Sequence, residues 1–313
     1  MTLIGRAEDV GTKYSQVVTP ETQSHARSGV RMEDASLVLR NGSRVLLLAV
    51  ADGHGSLQLH SPGVFVGGRE AADAALSFVR SNPSLFSSSP YPAFLKAHES
   101  IRTSIPGTVP YGKDSLCIQR RNGKKDTVTA GTTLSVLTVD LKTGACHSSF
   151  VGDSLILVVP STGDPWFTGN PHDTTDAEES KRLRSVGVRK TGRHFDMKIG
   201  PGREPYSVQL SRCLGHFGND SILKTPSVCS WSGREWSYSV LATDGIWNHI
   251  SPSLACQIVR THDPQEAADK ILQVSIRCQG HKPRDNATVL VVKRPTSVKG
   301  RGESGGGGCC TIM

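Results

Sequence analysis

The feature that most constrains this chain of 313 residues is an apolar run, LLLAVA at residues 46–51, which ends in the sequence DGHG. An apolar run of this length bounded by glycine is typical of a buried strand, and its end places Asp52 and His54 at the edge of the core. A buried carboxylate is unfavourable unless a partner compensates its charge, and a metal ion is a common partner. The run therefore predicts that further ligands come from elsewhere in the chain.

The composition is that of an ordinary globular protein. Hydrophobic residues make up 36% of the sequence and charged residues 20%, which is enough for a sizeable core. The net charge of +8 favours anionic partners, but the basic residues are dispersed. Aromatic residues are only 5%, and the sequence has no interleaved basic and aromatic stretch of the kind that binds nucleic acid. We therefore expect no nucleic-acid partner.

The cysteines and the first residues indicate a reducing compartment. The eight cysteines have no repeated spacing that would indicate a zinc site or a disulfide framework, so we expect reduced thiols. The first eight residues, MTLIGRAE, contain no basic-then-apolar signal region and no glycine at position 2. The expected location is the cytoplasm.

Apolar periodicity predicts helices at residues 67–80, 91–103, 176–186, 252–261 and 264–278. The last two begin with a capping residue followed by proline, at Ser251 and Asp263. Strands are predicted at residues 14–18, 36–39, 132–139, 145–151, 155–159, 237–242 and 288–292. Three of these follow one another through tight turns, which favours an antiparallel meander over a parallel sheet.

The remaining segments are predicted to be irregular. Residues 81–92 and 105–112 are rich in serine, proline and glycine and are expected to be loops. The polar stretch up to Thr129 has no periodicity and is interpreted as an exposed insertion. Residues 161–202 combine glycine, proline and charge and are expected to form a mobile surface region.

Acidic residues recur at the ends of the apolar strand candidates. Asp52, Asp244 and Asp285 each lie at such an end, beside glycine or asparagine. Any one of them alone is more often a simple turn residue. Taken with Glu33, Asp34 and Asp153, however, they favour a site for a hard divalent cation such as Mg²⁺ or Mn²⁺.

The ordered motifs of the chain resemble those of the metal-dependent type 2C protein serine/threonine phosphatases. Order and spacing both agree for the blocks MED (32–34), VADGHG (50–55), GTT (131–133), VGDS (151–154), SRCLG (211–215), ATDGIW (242–247) and DNATV (285–289). The resemblance implies an α+β fold, a four-layer αββα sandwich of two antiparallel sheets flanked by helices. The domain would cover residues 14–293, between an N-terminal extension (1–13) and a flexible tail (294–313).

The resemblance also implies roles for individual residues. Two metal ions, with a third that binds more weakly, would be held by Asp52 as the bridging ligand, the Gly53 carbonyl, Asp244, Asp285, Glu33, Asp34 and Asp153. A water activated by the metal ions would attack the phosphorus, and His54 would protonate the leaving oxygen. Phosphoproteins would be the substrates, and the protein is expected to be a monomer.

The sequence departs from the family at three positions. The family places an arginine, which binds phosphate, three residues before the methionine of the MED block, but that position is Gly29 here. Arg27 and Arg31 lie on either side, and we favour Arg27 as the phosphate ligand. Leu155 and His216 stand where the family commonly has arginine and aspartate. Two alternative functions stay open: a pseudophosphatase that acts as a binding or scaffold module, and a metal-dependent phosphatase of small phosphate esters.

The last four residues, CTIM, fit the C-a-a-X prenylation pattern, and a terminal methionine indicates a farnesyl group on Cys310. A single lipid anchors a protein weakly, so Cys309 as a palmitoylation site and nearby basic residues would supply second signals. The sequence thus predicts peripheral attachment to the cytoplasmic face of a membrane. The alternative is a disordered tail in which both thiols are incidental.

Overall fold

Two five-stranded antiparallel sheets form the centre of the protein. The computed structural model describes residues 3–9, 32–55, 58–61, 64–105, 107–111, 115–119, 123, 125–197, 206–280 and 285–295. The strands are β1 (Ile4–Asp9), β2 (Ala35–Asn41), β3 (Val45–Ala51), β4 (Gly53–His54), β5 (Gln58–Ser61), β6 (Val64–Val66), β7 (Thr108–Tyr111), β8 (Ser115–Gln119), β9 (Lys125–Thr127), β10 (Gly131–Thr132), β11 (Leu134–Asp140), β12 (Cys146–Val151), β13 (Leu155–Val159), β14 (Trp166–Phe167), β15 (Arg189–Thr191), β16 (His194–Met197), β17 (Tyr206–Val208), β18 (Leu214–Gly215), β19 (Ser227–Trp231), β20 (Tyr238–Ala242) and β21 (Ala287–Lys293).

The helices lie outside the sheets. They are α1 (Gly68–Ser81), α2 (Pro83–Ser88), α3 (Pro90–Ser104), α4 (Ala177–Ser185), α5 (Asp244–Trp247), α6 (Pro252–Thr261) and α7 (Pro264–Gln279). The predicted caps of the last two are confirmed, since Ser251 accepts a hydrogen bond from the backbone N–H of Leu254, and Asp263 accepts from Gln265 and Glu266. None of the helices in the described part of the chain is long and apolar enough to cross a membrane.

One large sheet has the order β1-β21-β20-β13-β14, and the other has the order β19-β12-β11-β3-β2. Every pair within them is antiparallel, as the meander of β11 and β12 predicted. A small sheet, β18-β10-β4, continues from the end of β3 and carries His54. The end of the sandwich at which β3 stops is therefore built from several short elements.

Successive side chains of the central strands face different layers, because neighbouring residues of a strand point to opposite sides. Leu46, Leu48 and Val50 belong to the core between the two sheets. Leu47 and Ala49 instead pack in the core shared with α1 and α3. A third core joins the first sheet to α6 and α7. These three apolar layers confirm the four-layer α+β sandwich.

Three of the predicted irregular regions have regular structure, so those predictions were wrong. Residues 83–88 form helix α2, and β7 lies in the loop predicted at residues 105–112. The strands β8 and β9, which form one sheet with β7, lie in the stretch interpreted as an exposed insertion. In that sheet Leu116, Cys117 and Ile118 are buried. The polar residues around these three had concealed a short apolar strand.

The region predicted as a mobile surface also has its own core. Helix α4 and the sheet β15-β16-β17 surround a buried apolar cluster: Leu183, Phe195, Met197, Val208, Leu210, Cys213 and Ile222. In addition, β1 pairs with β21 from Ile4 opposite Val292 to Asp9 opposite Ala287, so the sheet includes residues expected to form an N-terminal extension. The strand predicted at residues 14–18 lies outside the described residues.

Candidate active site

The backbone of Asp52 is held by two neighbouring threonines. Its N–H donates to Oγ1 of Thr133 at 2.9 Å, and its carbonyl accepts from the N–H of Thr133 at 2.9 Å and from Oγ1 of Thr132 at 3.1 Å. Thr133 also contacts Oγ of Ser154 at 2.7 Å. The GTT and VGDS motifs thus fix the point at which β3 ends, and with it the position of the Asp52 carboxylate.

Gly53 lies where the end of β3 meets the first turn of α1. A Cβ atom on Gly53 would collide with the backbone of Gly68, and one on Gly68 would collide with Gly53 and His54. The N–H of Gly53 donates to the carbonyl of Glu33 at 3.3 Å. Glycine at both positions therefore lets the helix approach the strand that carries the Asp52 carboxylate.

Asp34 and Asp244 come together through Thr243. The hydroxyl of Thr243 donates to Oδ2 of Asp34 at 2.7 Å and accepts from the N–H of Thr288 at 3.0 Å. Asp244 is the first residue of α5, and its Oδ2 accepts from Nδ2 of Asn248 at 3.0 Å. Oδ1 of Asp34 is buried and has no hydrogen-bond partner among the described residues. That oxygen is suited to a ligand.

A cavity of about 490 Å³ collects most of the predicted site residues. Its lining includes Asp52, Gly53, His54, Asp153, Asp244 and Asp285. Glu33 and Asp34 are buried and lie outside that lining, although Asp34 is close enough for its charge to act on Asp52. The structure thus places residues from five separated motifs at one end of the sandwich.

Burial and neighbouring carboxylates both disfavour the ionised forms of Asp52 and Asp34. Burial raises the pKa of Asp52, and the charges of Asp34, Asp244, Asp285 and Asp153 raise it further. Burial likewise raises the pKa of Asp34 to about 7, against the opposing hydrogen bond from Thr243. Cations among these oxygens would reverse both effects, because positive charge favours the ionised carboxylates. A set of carboxylate and carbonyl oxygens fits a hard dication such as Mg²⁺ or Mn²⁺.

His54 faces a second histidine. Its Nε2 lies 2.9 Å from Nε2 of His216, and the two rings stack with centroids 5.0 Å apart. Burial lowers the pKa of His54 to about 4, against an opposing hydrogen bond to the backbone of Asp52, and burial also lowers the pKa of His216 well below its usual range. Burial therefore disfavours the charged form of each ring, and at this distance one of the two Nε2 atoms donates its hydrogen to the other.

The sequence did not indicate several other residues of the cavity. Tyr206 and His194 line it, and the ring of Tyr206 stacks on His216 with centroids 5.6 Å apart. Asp173 lies outside this lining, but its charge raises the pKa of Asp153, after burial and Asp244. All three missed residues lie in or beside the region predicted to be mobile. In the sequence, this part of the cavity was indicated only by His216, which stands where the family commonly has aspartate.

Arg27, Cys309 and Cys310 lie outside the described residues, so their predicted roles are not tested by the structure. Among the described residues that line the cavity there is no arginine or lysine. The positive group that would bind a phosphate therefore stays a prediction, with Arg27 as the candidate.

Comparison with known proteins agrees with the motifs. The sequence matches the protein phosphatase 2C family over residues 23–281. Relatives include probable protein phosphatase 2C 45 of Oryza sativa subsp. japonica, 29% identical over 162 residues, which cover 50% of this chain and 51% of that protein. Another is probable protein phosphatase 2C 12 of Arabidopsis thaliana, 28% identical over 174 residues, covering 52% and 39%. The matched part thus spans about half or less of the length of these relatives.

Solved structures show the same fold. The serine-threonine phosphatase 2C of Toxoplasma gondii aligns with a TM-score of 0.63 at 16% identity, covering 93% of this chain and 94% of that one. A sex determining protein of C. elegans aligns with a TM-score of 0.61, also at 16% identity, covering 94% and 65%. At such identities the likeness establishes the fold alone. Since the family match extends over more than half of the chain, the protein belongs to the protein phosphatase 2C family.

Proposed function

We propose that this protein is a protein serine/threonine phosphatase that depends on divalent cations. The observation that carries this proposal is the convergence of Asp52, Asp153, Asp244 and Asp285 on one cavity beside His54. A protein that only binds partners has no need for a group of carboxylates in which burial and neighbouring charges raise the pKa of Asp52 and Asp153. The names of the plant relatives, which describe probable protein phosphatases, support the same activity.

In this proposal Asp52, the Gly53 carbonyl, Asp244 and Asp285 would hold one cation, and Asp52 would also help to hold a second. Glu33 and Asp34 would contribute to the second cation, directly or through waters, and Asp153 to a third, weaker one. Oxygen donors favour Mg²⁺ or Mn²⁺. When bound, these ions supply a water of lowered pKa as nucleophile and neutralise charge on the phosphate.

The chain's own residues complete the proposed reaction. His54 donates a proton to the leaving serine or threonine oxygen, which is a poor leaving group without one. His216, 2.9 Å away, fixes the orientation of the His54 ring. Arg27 binds the phosphate oxygens through its planar guanidinium group. Membrane attachment through Cys310 is a separate proposal, which a farnesyl mass on the protein from its own cells would test.

The test is an assay of the purified chain on a phosphothreonine peptide and on a small alkyl phosphate ester, each with Mn²⁺, Mg²⁺ or a chelator. We expect turnover of the peptide that requires the metal. Turnover of the small ester alone would favour the small-molecule phosphatase. No turnover of either substrate with either metal would reject the enzyme and leave the binding or scaffold module.

A further inference from the structure

A second group of possible metal ligands lies beside the carboxylates and differs from them in chemistry. One ligand atom each from His54, Cys213 and His216 lies within 4.8 Å of the other two. His54 is on β4, whereas Cys213 and His216 flank β18, 159 or more residues later in the sequence. No spacing pattern reveals this group, because the fold alone assembles it.

The geometry is close to that of a tetrahedral zinc site. Zinc bonds of about 2.0–2.1 Å to nitrogen and about 2.3 Å to sulfur place the ligand atoms of such a site about 3.3–3.6 Å apart. The two Nε2 atoms are now 2.9 Å apart, at the distance of a shared proton, so they need to separate by about half an ångström. Rotation of the His54 ring would supply that movement, since the stacked Tyr206 ring restricts His216. The ligand atom of Cys213, which lies within 4.8 Å of the other two, would approach by rotation about its Cα–Cβ bond.

The surrounding structure holds the three residues in place. The N–H of Cys213 donates to the carbonyl of Leu223 at 3.1 Å, and the N–H of His216 donates to the carbonyl of Ala130 at 3.0 Å. Tyr206 stacks on the His216 ring, and Nδ1 of His216 is buried without a hydrogen-bond partner among the described residues. Among the described residues, the contact with His54 is therefore the one strong polar contact of the His216 ring that a metal ion would have to replace.

The donor set selects a different ion from the carboxylate centre. Neutral imidazole and thiolate are preferred ligands of zinc, whereas Mg²⁺ and Mn²⁺ prefer oxygen. Burial raises the pKa of the Cys213 thiol to about 12, and of two nearby charges Lys224 favours the thiolate whereas Asp153 disfavours it. A dication bonded to the sulfur would reverse this shift, because a coordinated thiol is deprotonated. Lys224 repels a cation and Asp153 attracts one, so their effects on a bound dication oppose each other.

We propose that His54, Cys213 and His216 form a separate site for a borderline-soft dication such as Zn²⁺, and that its occupancy inhibits the enzyme. Binding forms two Zn–N bonds and one Zn–S bond and releases the thiol proton to solvent. The hydrogen shared by the two Nε2 atoms moves to Nδ1 of the ring that carried it, so that both imidazoles bind as neutral ligands. The fourth position faces the cavity, where water completes the coordination. Inhibition follows because His54, whose lone pair is now on the metal, can no longer give a proton to the leaving group. Only this inhibitory part rests on the proposed function.

Cobalt spectroscopy tests the binding without any assay of activity. The full chain, carrying Cys309→Ser and Cys310→Ser to remove the tail thiols, is stripped of metal and titrated with Co²⁺ and then with Zn²⁺. We expect a thiolate-to-cobalt charge-transfer band that Zn²⁺ abolishes. Cys213→Ser should lose the band and weaken Zn²⁺ binding by at least about 100-fold, more than loss of an outer ligand partner costs. Cys256→Ser, the same change at a buried thiol elsewhere, should behave as the parent.

Two further results make the outcome decisive. His216→Asn keeps the thiol, and asparagine tolerates the positive φ of 50° at this position, so we expect the variant to fold. Loss of the cobalt band in this variant would support the site even if Cys213→Ser unfolds. Equal Zn²⁺ binding in the parent and in both variants would overturn the proposal.

The inhibitory role is tested by an activity assay. With Mn²⁺ in excess, Zn²⁺ should inhibit the parent at least tenfold more strongly than Cys213→Ser, and equal inhibition would reject the inhibitory role. A cobalt band in a protein without phosphatase activity would reject the proposed function and leave the metal site standing.

Discussion

Thr243 donates a hydrogen bond to Oδ2 of Asp34 at 2.7 Å, and this bond joins the two sheets at the end that carries the carboxylates. Thr243 follows β20 in one sheet, and Asp34 precedes β2 in the other. The same hydroxyl accepts from the N–H of Thr288 on β21. A single buried side chain thus sets the distance between three segments that supply predicted ligands.

Replacement of Thr243 by valine tests this link. Thr243→Val keeps the shape but leaves Asp34 and the N–H of Thr288 without their partner, so we expect a loss of about 1–3 kcal/mol in the free energy of unfolding. The activity should also require more Mn²⁺. Thr138→Val is the matched control, because the Thr138 hydroxyl donates a single long hydrogen bond of 3.3 Å to the carbonyl of His147. Urea denaturation measures the free energy of unfolding, and metal titration measures the Mn²⁺ requirement. Equal losses in the two variants would show that the Thr243 hydrogen bonds contribute no more than the single hydrogen bond of Thr138.

Asp244→Asn should reduce phosphatase activity to background while the protein stays folded. The substitution removes one ligand charge but preserves the shape of a side chain that already accepts from Asn248. It should also diminish the rise in thermal stability that Mn²⁺ produces, since a ligand stabilises the state that binds it. Asp73→Asn removes the same charge from the exposed surface of α1 and should change neither result. Full activity of Asp244→Asn would disprove the metal assignment.

His54→Gln should lower kcat by an amount that depends on the leaving group of the substrate. Without the proton donor, kcat on a phosphothreonine peptide should fall roughly 10²–10⁴-fold. Turnover of nitrophenyl phosphate should fall far less, because its phenolate leaves without protonation. Parallel kcat measurements at saturating Mn²⁺ provide the comparison. An equal loss on both substrates would mean that His54 acts on binding or on the nucleophile rather than on the leaving group.

Much of this architecture could be predicted, because its signals are local. The strands β11, β12 and β13 were each predicted between turns, and helices α6 and α7 each begin at a visible cap. Asp52 and Asp244 could be predicted as site residues for the same reason, since Asp52 directly follows an apolar strand and Asp244 follows one after a single threonine. The carboxylate centre was therefore visible as a set of strand ends.

The remaining parts depend on contacts between distant segments. The side-chain oxygen of Asn286 accepts from the N–H of Glu33 at 2.7 Å, and Cys213 meets His54 across the fold. Nothing near these residues in the sequence specifies such contacts. The short strands β7 to β9 were missed because, among their described side chains, the buried apolar ones all belong to β8, within a polar stretch. Their stability comes from pairing with one another and from packing on the core.

Gly131→Ala should disturb the histidine pair directly. A Cβ atom at this position would lie 2.5 Å from Cδ2 of His216 and 2.8 Å from Nε2 of His54, and the stacked Tyr206 ring hinders the His216 ring from moving away. We expect kcat on the phosphopeptide to fall at least tenfold, with little change in the Mn²⁺ requirement. Gly42→Ala is the control, since a Cβ there meets nothing within 4 Å although its φ of 65° adds strain. An unchanged kcat in Gly131→Ala would exclude a role for the pair geometry.

The Glu179 carboxylate gives the stability of the α4 region a defined pH dependence. Burial alone would raise its pKa, but hydrogen bonds and charge from Arg212 and Arg182 outweigh burial and lower the pKa to about 2. A lowered folded-state pKa stabilises the protein above the unfolded value of about 4.3, and this contribution is lost as the pH falls toward 2.

Glu179→Gln should therefore cost about 1–3 kcal/mol in the free energy of unfolding at pH 7, because it leaves two arginines without their carboxylate partner. The difference between the parent and this variant should shrink as the pH falls from about 4.5 to about 2.5, the range set by the two pKa values. Glu178→Gln, its exposed neighbour, should show almost no difference at any pH. Urea denaturation over this pH series measures the effect. A difference that stays constant down to pH 2.5 would mean that Glu179 contributes through packing and not through its charge.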